Sequence, residues 1–264
     1  MTSDKRLGAK VAIVTGSGSG IGQQIAMRFA REGAKVCVAD MNLDAARNVV
    51  REIEQAGGQA VAEAMDVTNE RQVEAATDAV ASRWGGIDVL VANAGIQHLD
   101  TIADVSFDDW KRVLSVHLDG SFLTSRAALR HMYAGKRGGS IILIGSVHSY
   151  FASEKKGPYI VAKHGLLGLC RTLAKEGARH NVRANAICPG VVRTPLIERQ
   201  LPILAKEAGV SEEQIVKDLF LRLTVDDEYT TETELADVAV FLASFATNAL
   251  TGQSISVSHG MHML

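Results

Sequence analysis

The sequence has little excess of charge of either sign. Lysine and arginine total 28 residues against 30 aspartates and glutamates, which leaves a formal net charge of -2 over 264 residues. Binding to nucleic acid or to an anionic membrane surface requires a basic excess that this composition lacks. The composition therefore predicts no nucleic-acid partner and no membrane partner.

Cysteines and long apolar runs are also scarce. The three cysteines, Cys37, Cys170 and Cys188, show neither disulfide nor metal-ligand spacing, and each lies in an apolar run. We interpret them as reduced core residues of a cytoplasmic protein. No stretch approaches the roughly 20 apolar residues of a membrane-spanning helix, and the opening residues lack an apolar signal core. We therefore expect a soluble, unprocessed chain.

What the sequence does contain is a regular alternation of strand and helix patterns. Seven short strand-like runs lie at 11–15, 35–39, 60–64, 88–92, 140–144, 183–187 and 254–258, and helical patterns cover 21–32, 43–55, 69–84, 107–133 and 159–179. Parallel neighbours need helical crossovers, and these connections are right-handed. We predict an α/β fold with a single domain over 1–264, a Rossmann-type doubly wound seven-stranded parallel sheet.

The interval 190–231 breaks this alternation. It contains two amphipathic pieces, with prolines at 189, 195 and 202, and the pattern from Ser211 to Gln214 predicts a capping box at the start of a helix. A long excursion at the carboxyl edge of such a sheet is typical of a helical substrate lid. The alternative interpretation of this insertion is a contact between subunits.

A glycine-rich turn, "TGSGSGIG", follows the first strand and opens the first helix. Gly16, Gly20 and Gly22 allow the backbone to approach a pyrophosphate, which the helical N–H groups then bind. Asp40 ends the second strand, where a carboxylate hydrogen-bonds ribose hydroxyls and repels a 2′-phosphate. This pattern favours NAD. The alternative is that Asp40 caps the helix that begins near Leu43.

Tyr159 and Lys163 are four residues apart and therefore share one helical face. A lysine ammonium can stabilise a tyrosinate, whose ordinary pKa of about 10 is too high for a base at neutral pH. Ser146, at the end of the fifth strand, can donate a hydrogen bond to a reacting oxygen while Tyr159 accepts an alcohol proton. The alternative is a solvated pair on a helix surface. An alcohol that gives its proton to Tyr159 can pass a hydride from its carbon to NAD. This chemistry needs no metal ion, so we predict no metal requirement.

Together, the GxxxGxG spacing, "NAG" at 93–95, Ser146 and the YxxxK motif resemble the short-chain dehydrogenase/reductase family over nearly the whole chain. Within it, "GIQH", "SVH", "AKHG", "NAICPG" and "TPLIERQ" are similar to segments of D-3-hydroxybutyrate dehydrogenases. The resemblance implies an NAD-dependent oxidoreductase of a small 3-hydroxy acid, assembled as a homotetramer. The alternatives are another small secondary alcohol, a 3-oxoacyl thioester, or an NAD-binding module without catalysis.

The same resemblance implies a set of site residues. The cofactor set is Gly16, Ser19, Gly20, Ile21, Gly22, Asp40, Asp66, Val67, Asn93, Tyr159, Lys163 and Thr194. The substrate set, which includes a carboxylate pocket, is Gln97, Ser146, His148, Lys156, Tyr159 and Gln200. Lys155 and His164 match no role, and we interpret them as a solvated charge and a helix-surface residue.

Two departures from the family pattern stand out. His117 takes the place of an asparagine that holds a water in the proton path, so we assign it to the catalytic residues together with Ser146, Tyr159 and Lys163. An imidazole there could titrate near neutrality, unlike an amide. The ending "SVSHGMHML" replaces the family's usual "DGG". His98, His259 and His262 show no metal-ligand spacing.

Overall fold

The computed structural model describes residues 5–198 and 200–263. The outermost residues of the predicted domain, 1–4 and 264, lie outside the described residues. Arg199, inside the predicted lid, lies outside them as well.

The centre of the fold is one parallel sheet. Its strands are β1 (Val11–Thr15), β2 (Lys35–Asp40), β3 (Gln59–Ala64), β4 (Val89–Ala92), β5 (Gly139–Ile144), β6 (Val182–Pro189) and β7 (Ser254–Val257). They are arranged in the order β3-β2-β1-β4-β5-β6-β7. The strand order reverses between β1 and β4, and the carboxyl ends of these strands border a crevice where ligands bind in open α/β sheets. The predicted Rossmann-type sheet is confirmed.

Helices cover both faces of the sheet. They are α1 (Gly20–Arg31), α2 (Leu43–Gln55), α3 (Glu70–Trp84), α4 (Phe107–Leu114), α5 (Gly120–Gly135), α6 (Gly157–Gly177), α7 (Pro195–Glu198), α8 (Leu201–Ala208), α9 (Glu212–Ile215) and α10 (Glu232–Ser244). Side chains alternate along each strand, so Ile13 packs into the core under α3, α5 and α6, whereas Val14 packs into the core under α1, α2 and α10. Both faces are apolar because both are covered.

The predicted helix over 107–133 contains an irregular turn. Residues Ser115–Asp119 form a π-helical segment between α4 and α5, and His117 lies within it. Such a segment accommodates one extra residue in a turn, which a regular helical spacing of apolar residues does not reveal.

The interval 190–231 folds over the carboxyl edge of the sheet as short helical pieces. Ser211 caps α9, because its Oγ accepts the Gln214 N–H at 3.2 Å. The predicted capping box is nevertheless wrong in its second half. The Gln214 amide instead donates to Asp218 Oδ2 at 2.5 Å, since this carboxylate lies one turn further along. The chain continues into a π-helical segment, Val216–Leu221.

Two findings concern the sequence-based expectations on cysteines and membranes. Cys37, Cys170 and Cys188 are buried and not paired in disulfides. Within residues 5–198 and 200–263, no helix is long and apolar enough to cross a membrane.

Candidate active site

A cleft of about 1150 Å³ opens at the carboxyl edge of the sheet, between the ends of the central strands and the interval 190–231. The predicted site residues that line it are Gly16, Ser19, Gly20, Ile21, Asp40, Asn93, Gln97, His117, Ser146, His148, Lys156, Tyr159, Lys163 and Thr194. Four predicted residues do not line it: Gly22, Asp66, Val67 and Gln200.

The glycine turn forms one end of the cleft. Gly16 and Gly20 have φ angles of 60° and 56°, a left-handed conformation that favours glycine. A β-carbon on Gly22 would collide with the Gly16 carbonyl oxygen, so Gly22 acts by allowing close packing behind the lining. Ser19 caps α1 without a side-chain hydrogen bond to the helix. The start of α1 therefore presents backbone N–H groups to the cleft, and this cradle fits the pyrophosphate of a dinucleotide.

Asp40 braces this turn. Its Oδ2 accepts the Gly18 N–H at 2.9 Å and its Oδ1 accepts the Asn42 N–H at 2.9 Å. Helix α2 is capped by Asn42, whose side chain accepts the Ala45 N–H at 3.1 Å. The alternative interpretation of Asp40 as the helix cap is therefore wrong. Asn42 has that role because it directly precedes Leu43, the first residue of α2.

Asp66 and Val67 lie outside the lining for local reasons. Asp66 Oδ1 accepts hydrogen bonds from the Thr68 N–H at 2.9 Å and from Thr68 Oγ1 at 2.7 Å, which closes a turn after β3. Val67 is buried and packs against Gly120 of α5. In the structure neither side chain reaches the cleft.

The predicted proton-transfer residues meet where β5 ends and α6 begins. Lys163 Nζ donates to the Ile144 carbonyl oxygen at 2.7 Å and lies 5.4 Å from the centre of the Tyr159 ring. Burial lowers the pKa of Lys163 to about 8. Ser146 begins the 3₁₀ turn Val147–Ser149, and its Oγ accepts the His148 N–H at 3.1 Å.

The protein alone does not produce the expected acidic shift of the tyrosine. Burial raises the pKa of Tyr159, and a hydrogen bond with Ser146 opposes that rise. Burial of the phenol is the larger effect on the pKa of Tyr159 in this structure, and stabilisation of the tyrosinate by Lys163 stays a prediction.

His117 is a buried neutral group. Its Nε2 lies 2.7 Å from the Ile96 carbonyl oxygen, and its ring meets that of Tyr159 edge-on with 5.4 Å between centres. Burial first, and Lys163 second, lower the pKa of His117 to about 3. The hypothesis that His117 titrates near neutrality is therefore wrong, since this burial penalises the imidazolium. The Ile96 N–H lies 3.2 Å from the same nitrogen, so the tautomer of the neutral ring decides whether Nε2 donates to the carbonyl oxygen or accepts from the amide.

Three of the predicted carboxylate-binding residues, Gln97, His148 and Lys156, lie on two loops and line the same cleft as Tyr159. The His148 ring centre is 6.2 Å from that of Tyr159, and burial, followed by the charge of Lys156, lowers the pKa of His148 to about 4. Burial also lowers the pKa of Lys156. Gln97 Nε2 is buried and has no hydrogen-bond partner among the described residues, so it can donate to a ligand.

Gln200 contacts the predicted carboxylate-binding residues through Gln97. It is buried, and its Nε2 donates to Gln97 Oε1 at 3.3 Å. In the structure it orients Gln97 rather than lining the cleft as the sequence suggested.

A sequence model of the family described as "Enoyl-(Acyl carrier protein) reductase" matches residues 16–262. The D-beta-hydroxybutyrate dehydrogenase of Rhizobium meliloti (strain 1021) is 37% identical over 95% of this chain and 98% of its own. The 3-oxoacyl-(acyl-carrier-protein) reductase of Thermotoga maritima is 33% identical over 97% of this chain and 99% of its own. A crystal structure of a short-chain type dehydrogenase/reductase from Mycobacterium marinum, 31% identical, matches with a TM-score of 0.89 over 98% of both chains.

The chain belongs to the short-chain dehydrogenase/reductase family. Enzymes of this family use a nicotinamide cofactor, NAD or NADP, and act on small molecules. The glycine turn, the start of α1 and Asp40 would hold the dinucleotide at one end of the cleft.

Sequence reasoning missed one feature of this dehydrogenase/reductase cleft. Lys155, interpreted as a solvated charge, forms an ion pair with Glu207 of α8 at 2.7 Å. Its backbone has a φ angle of 60°, and its carbonyl oxygen accepts the Asp100 N–H at 2.9 Å. No local pattern identifies such a long-range pair. His164, in contrast, is an exposed residue on α6, as predicted.

The unusual C-terminal sequence also reaches the cleft. Met261 lines it, and the His262 ring stacks on Tyr150 with 4.0 Å between centres. His259 lies 2.7 Å from Asp226 and 3.3 Å from Glu234, which joins the tail to the interval 190–231 and to α10. In the sequence, the histidines that replace the family's usual "DGG" ending were the signal that could have revealed these contacts of the tail. Within the described part of the chain, no cluster of three metal-ligating side chains is present.

Proposed function

We propose that this protein is an NAD-dependent oxidoreductase that transfers hydride between a small 3-hydroxy acid and the cofactor, with 3-hydroxybutyrate and acetoacetate as the reference pair. One observation carries the proposal. Ser146, Tyr159 and Lys163 line the same cleft as Gln97, His148 and Lys156. A proton-transfer group and a carboxylate-binding group at one site match a substrate that carries both an alcohol and an anion.

NAD is the proposed cofactor. When bound, its nicotinamide accepts or returns the hydride. The Asp40 carboxylate lines the cleft beside the glycine turn, where it would accept hydrogen bonds from ribose hydroxyls and repel a 2′-phosphate. Asn93 would stabilise the same end of the cleft, because its side-chain amide donates to the Thr15 and Gly16 carbonyl oxygens at 2.9 Å.

The proton would be handled by three side chains. Ser146 orients the reacting oxygen, and Tyr159 accepts the alcohol proton during oxidation. Lys163, whose pKa is about 8, is largely protonated at pH 7 and provides positive charge near the phenol. His117 acts by position, because its bond to Ile96 holds the loop that carries Gln97.

Among Gln97, His148 and Lys156, Lys156 would supply the positive charge that binds the substrate carboxylate. His148 is neutral at pH 7, since its pKa is about 4, and together with Gln97 it would contribute directional hydrogen bonds. Gln200 orients Gln97 from the interval 190–231. We propose that this interval is a lid on one domain, so binding of the acid is coupled to its closure.

Formation of NADH from 3-hydroxybutyrate, compared with formation from its neutral methyl ester, tests the proposal. We expect the acid to be oxidised at least ~10-fold more efficiently, because loss of a charge-assisted hydrogen bond costs about 1.5–3 kcal/mol. Equal efficiency with acid and ester would contradict the carboxylate pocket.

A second candidate is reduction of a 3-oxoacyl thioester. The similarity to the Thermotoga maritima enzyme supports it. A thioester has no free carboxylate for Lys156, and for this reason we place it second.

Assembly as a homotetramer and a cytoplasmic location stay predictions.

A further inference from the structure

The cleft continues beyond the residues that the proposed reaction uses. On the lid, Val191, Ile197 and Leu204 line it, and each is half-buried with its other side against a small lid core of Leu201, Ala205, Ile215 and Phe220. The lid therefore presents an ordered aliphatic wall to the cleft. A continuous apolar lining of this kind is typical of a site for an apolar ligand group.

Other segments contribute apolar side chains to the same cleft. Leu99, from the loop after β4, Phe151, from the loop after β5, and Met261, from the C-terminal tail, line the cleft. Val210 and Leu223 also line it while they are 42% and 49% exposed. Apolar residues from four separate segments, the interval 190–231 included, thus line the same cleft as Tyr159.

Two charged side chains of the lid, Glu207 and Asp218, line the cleft, and each is paired with another side chain. Glu207 pairs with Lys155 at 2.7 Å, and Asp218 accepts a hydrogen bond from the Gln214 amide at 2.5 Å. A ligand therefore meets these charges already satisfied, whereas the aliphatic side chains remain available for contact. This distribution fits a hydrocarbon chain better than a polar arm.

A four-carbon acid does not cover this wall. Beyond its carbinol carbon, 3-hydroxybutyrate has a single methyl group, whereas its carboxylate is directed to Lys156. We propose that the cleft binds the alkyl tail of a longer 3-hydroxy acid, with six to eight carbons in total, against Val191, Leu204, Val210 and Leu223. The inference rests on the proposed function, because the proposed alcohol and carboxylate sites determine where the tail begins.

The test is the efficiency, kcat/KM, for 3-hydroxybutyrate, 3-hydroxyhexanoate and 3-hydroxyoctanoate at saturating NAD. Removing one methylene from water corresponds to about fourfold in binding, so efficiency should rise at least ~10-fold from the four-carbon to the eight-carbon acid. Val210→Asn should lower the ratio of the eight-carbon to the four-carbon efficiency at least ~5-fold. Leu223→Asn should do the same if Val210→Asn fails to fold.

Ile203→Asn is the matched control. Ile203 is 50% exposed on α8 and does not line the cleft, so this variant should leave the ratio unchanged. Calorimetric binding of octanoate and butyrate to the protein gives a second measurement that does not depend on turnover. Octanoate should bind more tightly, and Val210→Asn should remove the difference.

The outcomes separate the two proposals. If the four-carbon acid is oxidised best and efficiency falls with length, the tail site is wrong and the proposed function stands. If no 3-hydroxy acid is oxidised but octanoate still binds in a Val210-dependent way, the proposed function is wrong and the tail site stands. A length preference that neither variant changes would overturn the assignment of the tail to this wall.

Discussion

Lys155 Nζ lies 2.7 Å from Glu207 Oε2, which joins the loop after β5 to helix α8 of the proposed lid. Both residues line the cleft, and Lys155 directly precedes the predicted carboxylate ligand Lys156. The pair therefore connects the position of the proposed lid to that of the loop that carries Lys156.

The ion pair is 37% and 48% exposed, so its contribution should be small, about 0.2–1 kcal/mol. We expect Lys155→Glu to raise the KM for the acid about two- to fivefold with little effect on kcat. The double variant with Glu207→Lys should restore the KM, and high salt should reduce the difference. Reversal of Arg130 and Glu74, a pair between α5 and α3, is the control and should change nothing.

Lys156→Ala should raise the KM for 3-hydroxybutyrate about 10- to 150-fold and leave that for NAD nearly unchanged, because it removes the positive charge from the proposed carboxylate pocket. Steady-state kinetics with the acid and its methyl ester measure this effect. The variant should lose little efficiency with the ester. Equal losses with acid and ester would mean that Lys156 supports the loop instead of binding the carboxylate.

Tyr159→Phe removes the proposed proton acceptor and retains the ring that contacts His117 and His148. Turnover should fall at least ~100-fold, whereas NADH should bind as in the wild type. NADH fluorescence titration checks the binding. Near-normal turnover in the variant would place the base elsewhere.

Asp40→Asn keeps a hydrogen-bond acceptor for the Gly18 N–H and removes the charge. The preference for NAD over NADP should then fall at least ~10-fold, while the fold of the turn is retained. Asp40→Ala removes the acceptor as well and should also weaken NAD binding. Wild-type protein that used both cofactors equally would contradict the assigned role of the carboxylate.

His117 should affect stability, and not the activity profile, as pH changes. Its pKa is about 3 in the folded protein and about 6.5 when unfolded, so its neutral form contributes stability above pH 6.5 that is lost as pH falls toward 3. The slope from this residue can reach about 1.4 kcal/mol per pH unit. His117→Asn should show a shallower loss of unfolding free energy below pH 6, with the pH–rate profile above pH 5 unchanged.

Denaturant unfolding between pH 4 and pH 8 measures the difference. His164→Asn, at an exposed position on α6, is the control and should retain the wild-type slope. A wild-type slope in His117→Asn would show that other groups account for the acid sensitivity.

Much of the fold was determined by the sequence alone. Strand and helix periodicities are local, and the alternation of the two patterns leaves few topologies, so the sheet and its main helices were predictable. The glycine turn and the Tyr159–Lys163 spacing were also readable, because each depends on residues that are adjacent or one helical turn apart.

Tertiary structure decided the features that depend on residues far apart in sequence. Gln200 reaches Gln97 across 103 residues, and Lys155 reaches Glu207 across 52. The pKa of His117 depends on how deeply the fold buries it beside Lys163, and the periodicity of α4 and α5 does not contain that information. Long-range pairing and burial arise only when separate elements pack together, since desolvation is a property of the assembled surroundings and not of the residue itself.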